Sequence, residues 1–70
     1  MDIVIGGVYQ HYKGKNYRVL DMARHSETME WMVVYECLYD NPESRIWTRP
    51  LRIFIEKFSY IGDQKGKERL

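Results

Sequence analysis

Seventy residues leave room for one domain, and a domain of that size buries only about 60% of the surface its unfolded chain exposes. Ten aromatics (two Trp, six Tyr, two Phe) supply large buried area per residue. Eleven basic against ten acidic side chains give a net charge of +1; this excludes a global electrostatic drive toward nucleic acid or anionic membrane but leaves a local patch open.

The opening Met1-Asp2-Ile3-Val4-Ile5 has no basic region and too short an apolar run for a signal peptide. Nothing approaches the roughly 20 apolar residues of a membrane span. The single cysteine, Cys37, cannot close an internal disulfide. A cytoplasmic protein without membrane contact is expected.

Gly6-Gly7 precedes a strand rather than a helix, so it is not a phosphate loop. Val8 to Lys13 reads as the first strand and Tyr17 to Ala23 as the second. Between them, Gly14-Lys15 suits a two-residue type II′ turn, which wants glycine first. That register sets Tyr12 opposite Tyr17 and His11 opposite Arg18. The next loop, Arg24-His25-Ser26-Glu27-Thr28, lacks the Gly, Asn, Asp or Pro usual in turns, yet carries a guanidinium, an imidazole, a carboxylate and two hydroxyls.

Trp31 to Tyr39 is apolar on both faces, as in a central strand. Asp40-Asn41-Pro42-Glu43-Ser44 is a turn cluster, and Arg45 to Arg49 a short strand around Trp47. Pro50 holds Arg49 extended. Leu51 to Phe54 then makes a single helical or 3₁₀ turn before a last strand within Ile55 to Ile61. Residues 62–70 are too polar to pack and form a tail expected to fray.

This order predicts an all-β fold over residues 1–61: a small five-stranded SH3-like barrel or roll, closed or nearly so, with one short helical turn before the last strand. An OB-fold needs more chain and a helix after the third strand. If Ala23 faces Trp31, Arg18 faces Glu36, and His11, Arg18 and Glu36 fall in one row, read as a cross-strand ion pair beside an imidazole. The same register puts Val19, Val33, Tyr35 and Cys37 on one face and Leu20, Met22, Met32 and Val34 on the other.

His11, His25 and Cys37 lie too far apart for paired metal ligands, so neither metal nor other cofactor is expected. Ser26 beside His25 is no nucleophile–base pair, because adjacent side chains point apart. Cys37, in the most apolar strand, reads as core. No catalytic residue is assigned, and the chain reads as a non-enzyme.

The remaining signal is a polar-aromatic face, for which the candidate ligand-binding residues are His11, Arg24, His25, Ser26, Glu27, Thr28, Trp47 and Arg49. Some of Tyr9, Tyr12, Tyr35, Tyr39 and Trp47 should reach the surface beside Arg24 and Arg49, since so small a domain cannot enclose them all. Each residue has a structural alternative: Arg24 pairing with Glu27, Trp47 closing the barrel, Arg49 holding its loop. Near-neutral charge with surplus aromatics favours a binding module for a protein or peptide. The alternatives are nucleic acid, through Lys13-Gly14-Lys15-Asn16, Arg45, Arg49, Arg52 and the tail residues Lys65, Lys67 and Arg69, or a small molecule at the barrel mouth.

His11-Tyr12-Lys13-Gly14, Tyr17, Arg24 to Thr28, Val33-Val34-Tyr35, Leu38-Tyr39 and Trp47-x-Arg49-Pro50 with Phe54 together resemble a bacterial family, domain of unknown function 1653. The likeness spans Gly7 to Lys57. It implies an SH3-like barrel in a bacterial cytosolic protein and no activity.

Overall fold

Apolar side chains at a period of two write most of this chain as strands. The computed structural model describes residues 3–62 and forms β1 (Val8–His11), β2 (Asn16–Arg24), β3 (Trp31–Cys37), β4 (Ile46–Pro50), α1 (Leu51–Lys57) and β5 (Phe58–Gly62). All neighbouring strands pair antiparallel, in the order β4-β3-β2-β1-β5. Nothing joins β4 to β5, so among the described residues the sheet is open, where a closed or nearly closed barrel or roll is expected. The helix between them packs on β3, β4 and β5 and covers the face instead. β5 runs one residue past the expected boundary, and the rest of the polar tail lies outside the described residues. No helix among them is long and apolar enough to cross a membrane.

The helix is longer than the single turn expected. Leu51, Phe54 and Phe58 recur at the spacing of one helical face, and only after a second turn does Phe58 come over Phe54. The two rings stack 4.1 Å apart with planes 4° from parallel. Phe54, fully buried, centres a core of Tyr9, Val19, Val33, Tyr35 and Phe58.

The first hairpin corrects the expected register. Val8 faces Arg18, Tyr9 faces Tyr17 and Gln10 faces Asn16. The N–H of His11 donates to the Lys15 carbonyl (2.8 Å) and that of Gly14 to the His11 carbonyl (2.7 Å). With Gly14 at φ 111°, this is a three-residue loop ending in a left-handed glycine. The expected two-residue loop was wrong by three positions, and an odd slip exchanges the faces of every side chain. His11 therefore does not join the row of Arg18 and Glu36; Val8 does.

Arg18 does face Glu36, with 3.6 Å between guanidinium and carboxylate. But Arg24, not Ala23, faces Trp31, because the register shifts between Val19 and Asp21. Leu20 is the extra residue of this bulge. Beyond it Met22 pairs with Val33 and packs against the core, contrary to its expected outward face. Val19, Val33, Tyr35 and Cys37 are buried together as expected.

Candidate functional site

Tyr35 faces Trp47 and Val33 faces Arg49 across β3 and β4. Trp47 and Arg49 thus stand on the core face of the sheet, but on its edge strand, where no further strand covers them. Trp47 is 36% exposed. Its indole N–H donates to the Ser44 carbonyl (3.0 Å), and Asn41 Oδ1 accepts from the Glu43 N–H (3.0 Å). The β3–β4 turn is so folded back over the sheet. A cavity of about 220 Å³ remains, walled by Tyr17, Tyr35, Tyr39 and Trp47 and edged by Asn41, Glu43 and Arg49.

The tyrosines hold one another. The Tyr17 and Tyr39 hydroxyls share a 2.8 Å hydrogen bond. The Tyr17 ring meets Tyr35 at 83° and Tyr39 at 84°, with centroids 5.4 and 5.5 Å apart. Edge-to-face packing of this kind fixes the rings without stacking them. The bond to Tyr17, then burial, pushes the Tyr39 phenol well above its ordinary range. Burial also raises Tyr35, against the pull of the Arg49 charge and hydrogen bond. Asn41 Nδ2 donates to the buried Cys37 sulfur (3.6 Å).

The cations divide cleanly. Arg18 and Arg45 both pair with Glu36, and Arg52 pairs with Glu30. Among the described residues Lys13, Lys15, Arg24, Arg49 and Lys57 have no carboxylate partner. Each rests on an aromatic ring instead: Lys13 and Lys57 on Tyr12, Lys15 on Tyr39, Arg24 on Trp31, and Arg49 on Phe58. Phe58 also meets His11 edge-on, 4.9 Å away, and His11 lies against Tyr12. Burial, then the charges of Arg49, Lys13 and Lys57, hold the His11 imidazole below its ordinary pKa. Arg49, Lys13 and Lys57 therefore make one positive strip around His11, beside the aromatic cavity.

The loop from Arg24 to Thr28 lies elsewhere. With Ala23, Met32, Val34 and Thr48, the residues Arg24, His25 and Ser26 line an open depression on the outer face of the sheet. Most of its polar groups are engaged within the loop. His25 Nδ1 accepts from the Glu27 and Thr28 N–H groups (3.2 and 3.4 Å), and Thr28 Oγ1 accepts from the Glu30 N–H (3.2 Å). Arg24 donates to the Met29 carbonyl (2.7 Å), not to Glu27, with its guanidinium 3.9 Å above Trp31. The missing glycine is replaced by Met29 at φ 65°. No face unites all eight candidate residues: Trp47 and Arg49 line the cavity, His11 lies beside it, and the loop residues face away.

Sequence reasoning missed Tyr17, Asn41 and Glu43 as lining residues. The correct hairpin register places Tyr17 on the face of Trp47, so that signal was present in the glycine at position 14. The two polar residues depend on how the turn folds back, which residue types alone do not specify.

No curated protein matches the chain. A crystal structure of a DUF1653 protein from Bordetella bronchiseptica is similar, at 40% identity over 89% of this chain and 91% of that one, with a TM-score of 0.80. The family model "Protein of unknown function (DUF1653)" matches residues 7–68, which reaches past the likeness expected from the motifs at both described and tail positions. The chain belongs to the DUF1653 family.

Proposed function

We propose that this chain is a non-catalytic binding module, an SH3-like roll of the bacterial cytoplasm, that recognises a protein or peptide segment at the cavity beside Trp47 and Arg49. The roll is supported by the strand order β4-β3-β2-β1-β5 with a helix leading into the last strand. The observation that carries the function is Arg49: a half-buried guanidinium on the wall of an aromatic cavity that forms no ion pair among the described residues, although Glu43 edges the same cavity. A buried or half-buried charge is ordinarily paired. The cavity, about 220 Å³, is smaller than the roughly 300–1,000 Å³ of most small-molecule sites, and suits one anchoring side chain. The loop residues Arg24, His25, Ser26, Glu27 and Thr28, whose backbone and side-chain groups bond largely to one another, take no part in seating the peptide in this reading.

The reading is tested by selecting displayed random heptapeptides on the immobilised chain. Retention by the wild type, and release by the folded variants Trp47→Phe and Arg49→Gln, supports it. A chain that retains no peptide contradicts it. Nucleic-acid binding is the second reading, favoured by the cations that lack carboxylate partners; affinity that falls steeply with salt is its signature.

A further inference from the structure

We infer that the segment seated at this cavity is acidic, with carboxylates on the cations Arg49, Lys13 and Lys57 around His11 and one bulky side chain between Trp47 and Tyr39. The inference rests on the peptide-binding reading. Among the described residues the carboxylates that form ion pairs are engaged by other cations, Glu36 by Arg18 and Arg45 and Glu30 by Arg52, and Glu43, the acid edging the cavity, makes no ion pair with Arg49. Cations without an ion-pair partner beside an aromatic cavity are complementary to carboxylates, and Arg accepts them bidentately.

A single-stranded nucleic acid would use the same charge, but it also needs open ring faces on which bases stack. Here most rings are already engaged by a cation or a neighbouring ring, with Trp47 left 36% exposed. Lys13, Lys57 and His11 lie against Tyr12, and Lys15 covers Tyr39. Tyr17 and Tyr35 are set edge-on to their neighbours. What the cavity offers is a single slot of about 220 Å³, better suited to one anchoring side chain than to a run of stacked bases. An acidic occupant also relieves the strip: a carboxylate beside His11 raises an imidazole that its cationic neighbours now hold down.

The composition of the retained heptapeptide pool tests this. Peptides with two or more Asp or Glu around one bulky apolar residue should be enriched, and resynthesised with Asn and Gln they should bind about ten- to hundredfold more weakly, the worth of a charge-assisted hydrogen bond. Arg49→Gln should erase the bias. The pair Lys13→Gln with Lys57→Gln, at one exposed and one half-buried position, should weaken it while the protein stays folded by circular dichroism. A retained pool that is neutral or basic overturns the acidic segment and leaves the peptide module standing. An empty pool together with tight, salt-sensitive binding of a fluorescent twelve-nucleotide oligo(U) overturns both.

Discussion

The Arg49 guanidinium lies over the ring of Phe58, 5.2 Å from its centroid, while His11 meets that ring edge-on at 4.9 Å. One aromatic residue thereby separates two basic groups that sense each other's charge, joining the edge of β4 to the start of the first hairpin.

Removing the cation should be visible at the histidine. The Arg49 charge is one of the causes holding His11 below its ordinary value, second to burial. Arg49→Gln should therefore move the His11 titration upward, read from its imidazole proton shifts against pH. An unchanged midpoint would show that the two groups do not interact across Phe58.

Stability should fall on both sides of neutrality. The folded-state pKa of His11 is lowered from 6.5, so the unfolded chain takes up the proton first, and stability is lost as pH falls through that value. Tyr39 and Tyr35 are raised above 10.0, so their contribution is present below that pH and is lost as pH rises beyond it. Thermal midpoints should accordingly decline between pH 7.5 and 5.5 and again above pH 10. His11→Gln should flatten the acid limb, and Tyr39→Phe the alkaline one. Limbs of unaltered slope would disprove the assignment.

Phe54 stacks on Phe58 and touches Tyr9 and Tyr35. Phe54→Ala should cost about 3–5 kcal/mol. Domains this small hold only about 3–5 kcal/mol in total, so the loss consumes most or all of it and a substantial unfolded fraction should appear at 25 °C by near-ultraviolet circular dichroism. A loss under 1 kcal/mol would mean that the helix is not part of the core.

Met29 is 58% exposed and left-handed at φ 65°. A side chain in that region costs about 1–2 kcal/mol, which glycine avoids. Met29→Gly should raise the thermal midpoint by about 4–8 °C for each kcal/mol regained, with Arg24 still bonded to the residue's carbonyl. A lower midpoint would show that the Met29 side chain matters more than its backbone.

The strands, the places where the chain turns and the presence of a helix before the last strand were legible because period-two patterning and Pro50 report them directly, but the first loop's length and the helix's second turn were not. The facing of Arg18 and Glu36 was legible too, though by two errors that cancelled: the loop starts one residue later, and the bulge at Leu20 restores the count. Bulges and loop lengths are settled by tertiary fit, so the sequence reads them poorly. For the site, Trp47 and Arg49 came together because they alternate on one short strand. The loop Arg24 to Thr28 misled because polar groups in a turn look alike whether they await a ligand or, like His25 and Thr28, tie up their own backbone.

The central claim, that recognition occurs on the core-face cavity and not at that loop, is tested most directly by one titration. The ¹⁵N-labelled chain is followed by NMR as the enriched heptapeptide is added. The account predicts shifts at the Trp47 indole N–H, Tyr39, Arg49 and His11, with Ser26 and Glu27 unmoved. Shifts confined to Arg24, Ser26 and Glu27, with the Trp47 indole silent, would contradict it.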